Sequence, residues 1–200
     1  MRYDPRVNDH GLPHDPFKAL IMPRPIGWIS SLDANGTANL APYSFFNAVS
    51  DHPHLVMFCS GTVKDSQQNV EATGEFVCNL ATYDLRDQMN QSSAALAHGN
   101  SEFSFAGIEI APSVVVKPPR VAATPVALEC LYVETIPFKS ADGRRAPYSG
   151  IIGEVVMIHI DERLIVDGIV DMTLAEPIAR CGYHDYAHVR DLFQMKRPMV

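Results

Sequence analysis

The sequence predicts a mainly β protein: an antiparallel barrel with short inserted helices. Three observations predict it. Strand-length apolar runs recur at short intervals, turn signals join them as hairpins, and only two short helical patterns interrupt them. Fifteen prolines and twelve glycines are scattered along the 200 residues, which suits many short elements joined by turns. Closing the sheet into a barrel removes exposed strand edges, although a β-sandwich satisfies the same periodicity.

The first unit is "PIGWISSLDANGTANLAPYSF". Ile26, Trp28 and Ser30 alternate with Gly27, Ile29 and Ser31, and Asn35-Gly36 tolerates the positive φ of a tight hairpin. Leu40, Pro42 and Ser44 continue the return arm, where Pro42 requires an edge or a bulge because it cannot donate to a ladder. "HLVMFCS" reads as a third, buried strand. "KDSQQNVEATG" reads as a short helix ended by Gly74, and "EFVCNLA" as the next strand. "DLRDQMNQSSAAL" reads as a second helix with Asp84 at its N-cap. "PVALECLYVETIPF" and "GIIGEVVMIHI" are long antiparallel partners joined by a polar loop that turns at Asp142-Gly143. The tail "LAEPIARCGYHDYAHV" is irregular, then helical.

The chain is 46% apolar and 20% charged, as an ordinary folded domain is, and one domain over residues 1–200 is expected. A net charge of -7 and a pI near 5.5 argue against nucleic acid or an anionic membrane as partner. "MRYDPRVNDHGLPHDPF" has no apolar run, so no secretory signal is expected, and no apolar stretch is long enough to span a bilayer. Cys59, Cys78, Cys130 and Cys181 are far apart and form no C-x-x-C, so reduced thiols and a cytoplasmic setting are expected.

Three stretches can carry chemistry. In "GTVKDSQQNV", Lys64 and Ser66 stand at a helix start, where free N–H groups and the dipole favour an anion such as a phosphate. A solvated lysine beside a plain cap explains the same residues. In "NLAPYSFFNAVSDHPHL", amides and hydroxyls mix with three aromatics around Pro42, which suits a flat heteroaromatic ligand. A bulged edge strand explains that pattern equally. In "CGYHDYAHV", Cys181, His184 and His188 have spacings that serve zinc, but no fourth ligand or general-base glutamate accompanies them. No nucleophile elbow or carboxylate pair appears, which fits a protein whose chemistry belongs to a bound cofactor.

Together, "PRPIGWISSLDANGTANLAPYSFFNAVSDHPHLVMF" and "KDSQQNVEATGEFVCNL" resemble the flavin reductase-like, FMN-binding split-barrel family, which includes flavoredoxin-type proteins. "EPIARCGYHDYAHV" is similar to its closing "R-[LC]-G-x-x-[DE]-Y" segment, and the resemblance runs from about Pro23 to Tyr186. It implies a split β-barrel of Greek-key type and a homodimer, with noncovalent FMN near the subunit interface. It implies an oxidoreductase that draws on NADH or NADPH and passes electrons to a flavin, a metal complex or a protein; a non-enzymatic electron carrier is the alternative. By matching positions, Lys64, Asp65 and Ser66 meet the FMN phosphate and ribityl chain, while Ser44, Phe45, Phe46 and Asn47 lie against the flavin. Trp28, Ile29 and Ser30 are neighbours on the preceding strand, Arg24 is a phosphate partner and Ser60 a further ligand. Where the family often reads "R-L-G-G", this chain reads "RCGY": Tyr183, with His184 beside it, covers the ring or narrows nicotinamide access.

Overall fold

The computed structural model describes residues 1–199. A single turn of helix, α1 (Phe17–Leu20), precedes β1 (Arg24–Pro25), β2 (Gly27–Leu32), β3 (Ala38–Tyr43), β4 (Phe46–Ser50) and β5 (Leu55–Ser60). Helix α2 (Asp65–Thr73) leads to β6 (Glu75–Leu80), and two short helices, α3 (Arg86–Gln91) and α4 (Glu102–Phe105), follow. The small pair β7 (Ile110–Ala111) and β8 (Arg120–Val121) precedes the long β9 (Val126–Lys139) and β10 (Arg145–Ile160). The chain then forms the pair β11 (Ile165–Val166) and β12 (Ile169–Val170), and ends with β13 (Ile178–Arg180) and β14 (Tyr186–His188).

Seven strands form one sheet in the order β3-β2-β6-β9-β10-β5-β4, antiparallel throughout. The expected first hairpin is present. The Asp33 carboxylate closes it by accepting from Asn35 N–H at 2.8 Å and Thr37 N–H at 2.7 Å. Pro42 lies on β3, an edge strand, as its missing N–H requires.

The sheet's two edges are joined by only Ser44 and Phe45. In a flat sheet, six strand spacings of about 4.8 Å would hold those edges about 29 Å apart. Three Cα steps of about 3.8 Å span at most about 11 Å. The sheet must therefore curl until β3 meets β4. These two strands do not pair, so the barrel is split at a seam instead of fully closed.

Period-2 alternation divides the core between the two faces of β2. Ile29 enters the barrel with Tyr43, Phe58, Val70, Phe76 and Ile151. Trp28 points the other way and packs with Leu40, Met89, Phe103, Val121 and Ile178 beneath the short helices.

Several expectations require correction. Helix α3 begins at Arg86 and is preceded by Leu85, so Asp84 is not its cap. The segment after Phe45 forms a strand of its own, β4. The tail is not helical: β13 and β14 pair with each other, and β13 pairs with β1, making a small second sheet. No helix is long and apolar enough to cross a membrane among the described residues.

Candidate functional site

A cavity of about 1200 Å³ opens at the seam. This exceeds the roughly 300–1,000 Å³ of most small-molecule sites. Its walls come from the β3–β4 link, the residues after β5, the start of α2, the segment after α3, and both ends of the chain.

At one wall stands the N-terminus of α2. Lys64 occupies the N-cap position in extended conformation, and no side chain caps the helix. Its first-turn N–H groups therefore face outward beside an exposed lysine. The Asp65 carboxylate turns to His98 Nδ1 at 3.0 Å. Buried Ser66 donates to Asn39 Oδ1 at 2.8 Å. The Asn39 amide in turn donates to Glu102 Oε2 at 2.9 Å, and that oxygen also accepts from Leu40 N–H at 2.9 Å. Burial pushes the Glu102 carboxyl up, against the pull of these donors. Ser66 thus contributes position to the wall, with its hydroxyl proton committed inward.

The middle of the cavity is aromatic. Phe45 and Tyr148 lie 5.6 Å apart, and the Tyr148 ring is pressed so closely to Gly61 that a Cβ there would lie 2.8 Å from its Cζ. Burial pushes the Tyr43 phenol up against the opposing pull of the nearby Ser66 and Ser60 hydroxyls, which lie outside good hydrogen-bond geometry to it. Burial likewise raises the Cys59 thiol on the same wall.

The far wall is held by Arg24. Its guanidinium lies 5.8 Å from the centre of the Phe45 ring. Nη1 donates to Lys18 O at 2.5 Å and to Ile21 O, and Nη2 donates to Cys181 O at 2.8 Å. One buried arginine thereby ties α1 to the turn after β13. Only Nε is left without a partner. Gly182 makes the same junction tight: a Cβ there would lie 2.4 Å from Ala19 Cβ and 2.6 Å from its Cα. Next to it, Tyr183 holds φ +53°, left-handed backbone that favours glycine, and its ring lies 5.8 Å from that of His14.

The cavity brings together Arg24, Ser44, Phe45, Lys64, Asp65 and Ser66, with Tyr183 and His184 at its mouth. The remaining predicted site residues lie elsewhere. Trp28, Ile29 and Ser30 are fully buried core residues and do not line it. Trp28 Nε1 donates to Ser92 Oγ at 2.8 Å, and Ser30 Oγ donates to Pro119 O at 2.6 Å. Phe46 covers Gly27, and Asn47 Oδ1 accepts from Ala48 N–H on an exposed strand. Ser60 is buried and donates to Thr62 O at 2.6 Å. Cys181, His184 and His188 do not assemble into a metal site. His188 stacks on Tyr83 at 4.1 Å and pairs with Glu176 at 3.1 Å, away from the cavity. The only group among the described residues whose ligand atoms converge is exposed Asp51, His52 and His54.

Sequence reasoning missed Tyr148, Glu102 and the cations Lys18 and Arg180 on the wall. Glu102 carried a signal, as an acid followed by "FSF" at the start of an apolar turn. The others reach the cavity only through tertiary pairing.

Residues 19–170 match the Flavin reductase like domain. An uncharacterized protein of Deinococcus radiodurans is 35% identical over 90% of this chain and 82% of its own length. Among solved structures, nitrilotriacetate monooxygenase component B from Bacillus cereus is similar, with a TM-score of 0.86 and 29% identity over 98% of both chains. The 2-nitrobenzoate 2-nitroreductase of Pseudomonas fluorescens superposes with a TM-score of 0.81 and 28% identity, over 91% of this chain and 88% of that one. A curled antiparallel sheet split at a lined seam, with the domain match covering most of its length, makes this chain a member of the flavin reductase-like family.

Proposed function

We propose that the chain is an FMN-dependent oxidoreductase that takes reducing equivalents from NADH or NADPH and passes them to a flavin, a metal complex or a protein. The observation that carries this reading is the composition of the cavity wall. It joins an uncapped helix start and Lys64 to the Phe45–Tyr148 aromatic pair. Arg24 Nε is buried in that wall without a partner among the described residues. A buried polar atom is rarely left unpaired, so this donor fits a polar ligand.

Bound there, a flavin would supply redox chemistry between a reduced nicotinamide donor and the acceptor. The protein binds and orients. Lys64 and the first-turn N–H groups of α2 hold the phosphate, a charge-assisted contact. Phe45 and Tyr148 offer apolar surface to the ring system. Tyr183 narrows the mouth and excludes water. No side chain on the wall is required to shuttle a proton, which agrees with the absence of a nucleophile or carboxylate pair from the sequence.

The 200 residues act as one flavin-binding unit, and two copies associate. Leu131, Val133 and Ile136 on β9 are exposed apolar residues, a patch that a second copy would cover. Sedimentation with and without FMN tests this: flavin should stabilise the dimer by linkage.

The visible spectrum of the purified protein tests the main reading. A flavin spectrum, with FMN identified in the released fraction and bleaching by anaerobic NADH or NADPH, is expected. A colourless protein that gains no spectrum with added FMN overturns it. The Tyr183 ring at the mouth favours a second reading, an electron carrier; bleaching by dithionite alone would select it.

A further inference from the structure

The chain is acidic, yet Lys18, Arg24, Lys64 and Arg180 all line one cavity. None of them forms an ion pair with a carboxylate among the described residues. Elsewhere Arg6, Arg144, Arg163 and Arg190 are each paired with an acid. Asp15, Asp65 and Glu102 line the same cavity, so its four cations and three carboxylates leave a small net positive charge in a protein of net charge -7.

These cations form two groups. Lys64 follows Gly61, whose backbone is pressed against Tyr148, by three residues. From there the contacts run through Phe45 to Arg24, and from Arg24 to the carbonyl of Cys181, next to Arg180. Lys64 thus belongs to the α2 wall, and the second group, Arg24, Arg180 and Lys18, to the wall built from the chain ends. In that second group Arg24 and Arg180 are direct cross-strand partners on β1 and β13. Like charges placed opposite each other destabilise a sheet unless something offsets them. Arg24 commits Nη1 and Nη2 to backbone carbonyls and keeps only Nε free. Arg180 packs over the Tyr186 ring at 4.5 Å, and its guanidinium gives one hydrogen bond, to Tyr183 O. His14 and His184 stand on the same rim. Its carboxylate, Asp15, accepts instead from Phe17 N–H at 2.9 Å.

One flavin phosphate accounts for the Lys64 group and leaves the other unused. We propose that Arg180 and Lys18 form a second anion subsite at the cavity mouth, and that the molecule exchanging electrons there carries a carboxylate or phosphate. This rests on the flavin reading above. Two sources share the chemistry, an aromatic acid and a nicotinamide dinucleotide. The Arg24–Gly182 junction fixes Lys18 and the 181–184 turn to one another, so the subsite is held together.

The test is calorimetric titration of the flavin-loaded protein with benzoate, its neutral isostere benzamide, and adenosine diphosphoribose. Wild type should bind at least one of the two anions at least about tenfold more tightly than benzamide, as a charge-assisted contact predicts. Arg180→Gln should abolish that preference, Arg180→Lys should restore part of it, and Lys18→Gln, on an exposed residue, should weaken it. Loss confined to benzoate assigns an aromatic acid; loss confined to adenosine diphosphoribose assigns a dinucleotide; either supports the subsite. Equal binding of benzoate and benzamide with no binding of the diphosphate overturns it, as does a preference that survives both Gln variants. Release of the flavin itself by Arg180→Gln also overturns it, because Arg180 would then serve the cofactor. A protein that never binds flavin fails the earlier reading before this titration begins.

Discussion

His159 Nε2 donates a 2.6 Å hydrogen bond to the carboxylate of Glu129, a side chain with no solvent exposure. The same carboxylate accepts from the N–H groups of Val114, Val115 and Val116 at 2.7–2.9 Å. Burial alone would raise this carboxyl. His159 and the backbone donors outweigh burial and lower it from 4.5 to about 2. A depressed folded value means the stabilisation is complete above about pH 4.5 and is lost as pH falls towards 2. Glu129→Gln should cost roughly 2–4 kcal/mol at neutral pH, because its amide cannot accept from every donor. Urea unfolding from pH 7 to pH 3 checks this: the variant should lose less stability on acidification than wild type.

Lys64→Ala should weaken FMN by about 1.5–3 kcal/mol and riboflavin far less, since only FMN carries the phosphate. Equal losses for the two ligands would show that Lys64 does not face it. Fluorescence titration measures both.

Gly182→Ala places a methyl 2.6 Å from the Ala19 backbone, which cannot swing aside as a side-chain tip does. The expected cost is about 1–3 kcal/mol. Limited proteolysis should show earlier cleavage before residue 22, where α1 loses its seat. Unchanged cleavage and stability would mean that the junction yields freely.

Tyr183→Gly relieves a left-handed backbone and opens the mouth together. The strain relieved is about 1 kcal/mol and is partly offset by the added freedom of the unfolded chain. Stability should therefore stay within about 1 kcal/mol, while anaerobic reduction by NADH or NADPH accelerates several-fold in stopped flow. A slower reduction would assign the ring to binding the donor instead.

How much of this was legible in the sequence depends on how local each determinant is. The 33–37 hairpin, the α2 helix ending at Gly74 and the edge position of Pro42 follow from turn chemistry and a missing N–H. Strand β4 did not read as one, because "FNAVS" has no alternation and gains its register only from β5. His184 and His188 suggest a helical face by spacing, yet three-residue strands there are set by pairing with β1, remote in sequence. The same holds for the cavity. Lys64 and Phe45 were visible because a helix start and a broken aromatic strand are local signals. Trp28, Ile29 and Ser30 adjoin the motif but point into packed interiors, and adjacency in sequence says nothing of which interior a strand residue enters. Arg180 and Lys18 come to one cavity only after both ends of the chain fold against each other through Arg24.

The seam itself is a covalent hinge. Strands β3 and β4 share no ladder, and the two residues between them keep the curled sheet from unrolling at that edge. A single proteolytic nick between Ser44 and Phe45, or new termini placed there by circular permutation, would remove that tether. It would leave the opposite borders of a seven-stranded ribbon held together by packing alone, chiefly Tyr43 against Phe58, and let the pocket widen at the seam.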